Sequence, residues 1–514
     1  MKKPLVVSGQ DWTFDLLEEI LIHIERIAFE KYGLDTYTNK IETIKSEQMI
    51  DAYSANGLPI FYPHWSFGEQ FVKHLEHYRR GKMGLAYEIV INSNPCISYL
   101  MEENTMLMQT LVLAHAAFGH NSFFKTNYLF KKWTDAETII DYLTYAKKFI
   151  RHCEVEYGYE QVEATLDAAH AIQMHGIYKY KRPLLPTAAE EEKMREDRDA
   201  YIQSQVNELW NTIPKAKSGD DGKNEEETFP EHPEENLVTF IGENAARMED
   251  WQRQILRIVS YISQYFYPQM QTKVANEATA CFWHFTIMND LYEEGILSED
   301  AMIEFTKSHT EVLFQPDYDH KYYNGINPYA LGFSILRDVK RICLDPTEED
   351  REWFAGQEWV GSGDWVSQIK YISAEFKDES LIKQYLSPKV IRDLKLFDIF
   401  DDEKDAALEV AAIHDDSGYK QVRNSLSKLY NIGYHIPDIQ AVRVDRWGDR
   451  SLELRHYMTN EIPLESQNAV ETLRHIGYLW GYDVILLSKD SEDNTKMKMV
   501  YSHKDDDISI EVYN

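Results

Sequence analysis

The sequence predicts a mainly α protein: a large helical domain carrying an acidic insertion, followed by a small α+β C-terminal domain. Three observations lead there. Residues 102–124 and 274–293 are apolar almost all the way round a helical wheel, as expected of helices buried on every side. Between 190 and 235, fifteen acidic residues stand against six basic ones, a composition that cannot bury itself. In the last hundred residues the apolar period changes from that of a helix to strict alternation. The expected division is 1–402 for the helical domain, with 190–235 as its exposed insertion, and 403–514 for the C-terminal domain.

With 514 residues, 43% of them hydrophobic and 13% aromatic, the chain can bury a large core. A formal net charge of -32 argues against nucleic acid, because phosphate binding needs a basic surface. It argues equally against anionic membranes. Cys96, Cys153, Cys281 and Cys343 lie far apart with no CxxC, the pattern of reduced, buried thiols. The opening MKKPLVVSGQDW is no signal peptide, and no apolar run is long enough to span a bilayer, so the expected location is the cytoplasm.

Taken in order, Asp11 or Thr13 can cap a helix with Leu16, Leu17, Ile20, Ile24 and Ile27 on its apolar face, ended by Gly33. Residues 45–80 read as two helices around a Gly-Leu-Pro loop. The β-branched run 87–95 is the one convincing strand in this half, stopped by Asn-Pro. The buried helix 102–124 follows, then helices at 136–152 and 159–175. Within the insertion one helix is expected at 197–210, and the first protease cuts at 215–227. Beyond it come helices at 251–267, closed by Pro268, at 274–293, and at 299–309. The loop NGINPYALGF opens a further helix that runs to 342, and helices continue to about 402. A hairpin (440–445 with 451–456), a helix (465–479), the strand YDVILL and two short strands complete the C-terminal domain. The segments on either side of the insertion should form one domain, since 102–124 and 274–293 must each bury their surface against something.

The chemistry candidates lie on the apolar helices. His115 and His120 are five residues apart and would point about 140° from each other on an ideal helix. They can face one ligand only if the helix is distorted, and Gly119 is a plausible place for a bulge. His170 and His175 repeat the spacing. Glu277 and His284 share one face of the 274–293 helix, and an ionised carboxylate in so apolar a run needs a cation or a donor. Asn276-Glu277-Ala278-Thr279-Ala280 fits the N-E-x-x-A pattern from which one zinc-peptidase clan draws its third ligand. With no H-E-x-x-H in the chain, a standard enzyme of that kind is excluded. The plainer account of all these residues is a closed network of buried polar groups that fixes helix packing.

The blocks YEIVINSNPCISYLMEENT, AHAAFGHNSFFKTNYLF, VANEATACFWHFT, INPYALGF, REWF and DRWGDRSLELRH resemble the SpoVR family, named for a stage V sporulation protein and including YcgB-like proteins. The resemblance covers nearly the whole chain. It departs at Ala278-Thr279, where members carry Gly-Trp, and in the acidic insertion. It implies a cytoplasmic protein tied to spore cortex formation or to stress physiology. It also implies the company of a PrkA-type serine kinase and a von Willebrand-like partner, and it brings no assigned reaction.

Two functional expectations follow. In the first, the chain is a metal-dependent hydrolase. His115, His120 and Glu277 hold a divalent ion, and His170, His175 and His284 form a second site or an outer shell. Glu102 or Glu103 is then the general base. A nitrogen and oxygen donor set suits zinc, manganese or iron. In the second, the chain is a non-catalytic regulator or scaffold for the kinase and its partner. Geometry separates them: ligand atoms that share an ion stand roughly 3–4 Å apart.

Overall fold

The computed structural model describes residues 7, 11–55, 61–79, 88–179, 193, 229–317, 320–396, 398–400, 409–411, 415–458 and 462–513. Nearly all of the acidic insertion, with the helix expected at 197–210 and the cleavage site expected at 215–227, lies outside these residues. The fold is mainly α with an α+β C-terminal region. Its contacts divide it into two compact units, residues 1–170 with 250–437 and residues 171–249 with 438–514.

The first unit is built around the Lys273–Glu293 helix. Its sequence is apolar on nearly every face because neighbours cover nearly every face. The stretch 113–120 lies along one side and the Pro328–Leu344 helix along another. Two glycines let these backbones close in. A Cβ at Gly119 would fall 2.5 Å from Cα of Ala280, and one at Gly332 would fall 2.6 Å from Cβ of Ala278. The helix starts where the Asp378 carboxylate accepts from the backbone N–H groups of Val274 and Ala275 at 3.0 and 2.8 Å. Trp283, Phe118, Phe123 and Phe130 are fully buried around it. Each such side chain contributes on the order of 1.5–3 kcal/mol relative to exposure.

The Phe14–Arg26 helix is capped by Thr13, whose Oγ1 accepts from the N–H of Leu16. A three-stranded sheet follows, formed by β1 (Asn39–Ile44), β2 (Glu88–Ile91) and β3 (Cys96–Met101) in the order β1-β3-β2. β1 runs parallel to β3, and β2 antiparallel. Sequence reading anticipated only β2. CISYLM, to which the sequence assigned no element, is a central strand whose partners lie on both sides. Helix begins instead at Met106, because Thr105 accepts the N–H of Met108 and caps it. The helix expected to close at Pro268 runs on to Gln271 with Pro268 inside its last turn. A short strand, β4 (Asp398–Phe400), stands inside the stretch to 402 where only helix was expected, and it pairs antiparallel with β5 (Glu409–Ala411).

The second unit contains a five-stranded sheet of β6 (Asp438–Val444), β7 (Leu452–Tyr457), β8 (Val484–Lys489), β9 (Thr495–Ser502) and β10 (Asp507–Val512), in the order β10-β9-β8-β7-β6. β7 and β8 are parallel and joined through the Ser466–Trp480 helix, and the other neighbours are antiparallel. Residues before the first unit resumes also belong here. Glu234 bridges Ala441, the N–H of Val444 donates to the carbonyl of Phe229, and Phe240 of the Leu237–Asn244 helix stacks on Trp480. Those pairings explain why the division falls at 437 and takes in 171–249, rather than at 402. Among the described residues no helix is long and apolar enough to cross a membrane.

Candidate metal centre

Residues 113–120, LAHAAFGH, form a π-helix between the α-helical segments Met106–Val112 and Asn121–Thr126. In a π-helix each N–H reaches the carbonyl five residues back, so positions i and i+5 stack on one face. This is the distortion that a shared ligand for His115 and His120 requires, and it extends over two turns rather than only at Gly119. The two rings stand 4.6 Å apart, edge to face.

They face Glu277 on the Lys273–Glu293 helix. Its Oε2 lies 3.6 Å from Nε2 of His115 and 3.6 Å from Nε2 of His120. A second carboxylate enters from β2, with Oε1 of Glu88 3.6 Å from the same Nε2 of His115. Glu88, His115 and His120 each offer a ligand atom within 4.8 Å of the others. The separations exceed a hydrogen bond and match what ligands of one ion need.

The surroundings orient these groups. Nδ1 of His120 pairs with Oδ1 of Asn276 at 2.9 Å, an arrangement in which the ring donates from Nδ1 and keeps its lone pair on Nε2. Tyr329 hydrogen-bonds the Glu277 carboxylate. Oε2 of Glu277 is buried and no hydrogen bond reaches it. An uncapped buried carboxylate oxygen costs free energy, so its position beside two imidazole nitrogens fits a cation.

Electrostatics separate the four groups. Burial pushes Glu88 above the ordinary carboxylate range. Burial acts the same way on Glu277, but His120 and His115 outweigh it and hold that carboxyl below the range. Burial lowers His120 to about 4, against the pull of Glu277. His115 experiences the same desolvation, yet Cys281, Glu277 and Glu88 together raise it well above an ordinary imidazole.

Behind His115 lies His284, with its Nδ1 2.8 Å from Nδ1 of His115, and behind His284 lies His309. Cys281 is buried beside them, its thiol pushed up by burial. The structure thus brings together His115, His120 and Glu277, and places His284 directly behind them. It does not bring His170 or His175 to them. His170 belongs to the first unit, where its Nε2 pairs with the Tyr62 hydroxyl at 2.6 Å beside His64. His175 belongs to the second, in the Gln173–His175 turn, where burial lowers it to about 4.

Glu102 and Glu103 are also elsewhere. Because helix starts only at Met106, both occupy the exposed turn after β3. The carbonyl of Glu102 accepts from Trp12, and Oε1 of Glu103 accepts from the N–H of Ser46. The carboxylate that faces the imidazoles in their place is Glu88, which no spacing rule could single out because strand pairing delivers it.

Comparison with known proteins decides the lineage. Residues 11–435 match the family model described as SpoVR like protein, and 437–491 match the SpoVR-like C-terminal domain. The chain belongs to the SpoVR family. It is similar to YcgB of Escherichia coli (strain K12), at 52% identity over 488 residues that cover 95% of this chain and 94% of the relative. No solved structure matches it.

Proposed function

We propose that this SpoVR-family chain is a metal-dependent hydrolase whose divalent ion is held by Glu88, His115, His120 and Glu277. The observation that carries the reading is Oε2 of Glu277, buried, without a hydrogen bond, and equidistant from two imidazole nitrogens. Two imidazoles and two carboxylates with no thiolate suit zinc, manganese or iron. A divalent ion there would supply a Lewis acid that acidifies water and polarises a carbonyl or phosphoryl group. The chain's own residues prepare the place. Asn276 keeps the His120 lone pair on Nε2, Tyr329 steadies Glu277, and the apolar surround excludes bulk water.

A scaffold built on the same residues would close its buried polar network, and the bare Oε2 of Glu277 counts against that. The setting we propose is cytoplasmic, in cortex formation or stress physiology beside a PrkA-type kinase and a von Willebrand-like partner. Co-purification with those proteins tests it.

Elemental analysis of the full chain after metal-replete expression tests the metal centre. The expected result is one equivalent of a divalent metal, lost in His120→Ala. Sub-stoichiometric metal that the substitution leaves unchanged would overturn the reading. Chelator-sensitive hydrolysis of a panel of ester, amide and phosphoester substrates then identifies the bond cleaved.

A further inference from the structure

A cavity of about 500 Å³ lies in the first unit between three helices, Lys273–Glu293, Pro328–Leu344 and Pro388–Asp393. One wall is aromatic, made by Phe282, Phe285 and Phe333. Phe285 and Phe333 also pack against His309, at ring-centroid distances of 5.0 and 4.8 Å. None of the four residues of the metal centre lines this cavity.

The other wall is basic. Arg337, Lys340 and Arg341 come from successive turns of the Pro328–Leu344 helix, and Lys389 from the Pro388–Asp393 helix. Two of these four cations are already matched. Arg341 donates from Nε to Asp338 at 2.7 Å and to the two oxygens of Asp350 at 2.7 and 2.8 Å. Lys389 is bonded to Asp393. The second oxygen of Asp338 accepts from the Ser387 hydroxyl at 2.7 Å. Both carboxylates that line the cavity, Asp338 and Asp393, are thereby occupied.

Arg337 and Lys340 are left over. Among the described residues neither makes a hydrogen bond or an ion pair. Arg337 is exposed, while Lys340 is half-buried with its Nζ 4.0 Å from the centroid of the Trp365 ring. Burial lowers the Lys340 ammonium below the ordinary lysine range, against the pull of Asp290 and Glu293. One turn before Arg337, the Ser334 hydroxyl lines the cavity and has no hydrogen bond among the described residues. Acidic residues outnumber basic ones in this chain by 86 to 54, so a cation that meets no carboxylate is the exception. The dipole at a helix C-terminus favours positive side chains, but it does not offset their crowding. Arg337 lies three residues from Lys340 and four from Arg341, spacings at which like charges repel.

Two unmatched positive charges, a free hydroxyl and an aromatic wall in one cavity call for a ligand with two negative charges and an apolar body. We infer that the cavity binds a small organic phosphomonoester, with its dianionic head on Arg337, Lys340 and Ser334 and its apolar part against Phe282, Phe285 and Phe333. A guanidinium presents two parallel N–H donors to phosphate, the ammonium supplies the second charge, and the hydroxyl donates once more. The volume falls within the range of small-molecule sites. The inference stands apart from the proposed metal centre and does not depend on it.

Isothermal titration calorimetry of the full-length protein with benzylphosphonate tests it, at a pH where the probe carries two charges. A phosphonate is not hydrolysed, so turnover is not mistaken for binding. One equivalent should bind. Inorganic phosphate, which lacks the apolar body, and phenylmethanesulfonate, which has one charge, should each bind about tenfold or more weakly. Arg337→Gln and Lys340→Gln should each weaken benzylphosphonate about tenfold or more, with circular dichroism unchanged. His120→Ala, which disables the metal centre, should bind the probe as the wild type does. The absence of saturable binding would overturn the inference, as would affinity that either cavity substitution leaves unchanged. Loss of affinity in His120→Ala with retention in Arg337→Gln would put the phosphonate on the metal and overturn it too. Equal affinity for inorganic phosphate would reduce the site to surface charge, with the same consequence.

Discussion

Nε2 of His120 stands 3.6 Å from Oε2 of Glu277, on a neighbouring helix 157 residues further along the chain. Neither atom makes a hydrogen bond to the other at that distance, and each has the rest of its side chain held by a different partner, Asn276 for His120 and Tyr329 for Glu277. Two groups oriented from behind and left a fixed gap apart are arranged for something between them. Glu277→Gln keeps the shape and removes the charge. Metal affinity should fall by more than the roughly 10- to 100-fold that an outer partner's loss costs, as read by competition with a chromogenic chelator. Retention of wild-type affinity would refute the assignment of Glu277.

Asn276→Ala acts one step further out. His120 loses the acceptor that fixes its tautomer, so affinity should drop about 10- to 100-fold. Asn276→Asp, which keeps an acceptor, should drop less. Equal losses would mean that Asn276 serves packing alone.

Two glycine substitutions should have opposite signs. Gly119→Ala places a methyl 2.5 Å from the backbone of Ala280, and the helices must part. The expected cost is about 1–3 kcal/mol in denaturant unfolding, with metal content falling alongside. At Gly68, inside the Trp65–Arg79 helix, a Cβ meets nothing within 4 Å. Gly68→Ala should stabilise the protein by about 0.5–1 kcal/mol, since alanine loses less backbone freedom on folding.

Much of the site's logic was legible in the sequence. Two helices too apolar to be exposed had to meet, and His115, His120 and Glu277 lay where a buried polar group needs a partner. The five-residue spacing specified a distortion before any coordinates. Other parts were not legible, for physical reasons. Glu88 reaches the site through β2, whose neighbour β3 pairs on its other edge with β1, some fifty residues earlier, and such pairing leaves no local periodicity. His309 is one histidine on an ordinary amphipathic helix, and only the meeting of three elements makes it part of a row. Glu102 and Glu103 misled because an apolar run continues past them into β3. The Thr105 cap, four residues before Gln109, decides where helix begins.

A pH dependence should arise at Asp378, where the central helix starts. Burial raises its carboxyl to about 7, against the pull of the backbone N–H groups of Val274, Ala275 and Lys273. The folded state therefore binds a proton more tightly than the unfolded chain, whose Asp titrates near 3.9. The stability this group contributes is fully present below about pH 4 and is lost as pH rises through about 7. Asp378→Asn cannot titrate, so its stability relative to wild type should climb across that interval and level off above it. Denaturant melts at several pH values measure the difference, and a flat difference would exclude the shift.

The π segment amounts to a phase shift written into a helix by one surplus residue. Every position from 106 to 124 is buried, so both the residues before the segment and those after it must meet fixed neighbours. Asn121, for instance, accepts from the N–H of Tyr37 and donates to its carbonyl and to Oδ1 of Asn39. Deleting one residue between His115 and His120 would leave the two imidazoles four apart on an ordinary α-helix, still on one face. Everything from Asn121 onward would turn by about 100°, away from those neighbours. Change in chain length here is thus constrained by the core beyond the site more than by the histidines themselves, and the stretch tolerates substitution more readily than insertion or deletion.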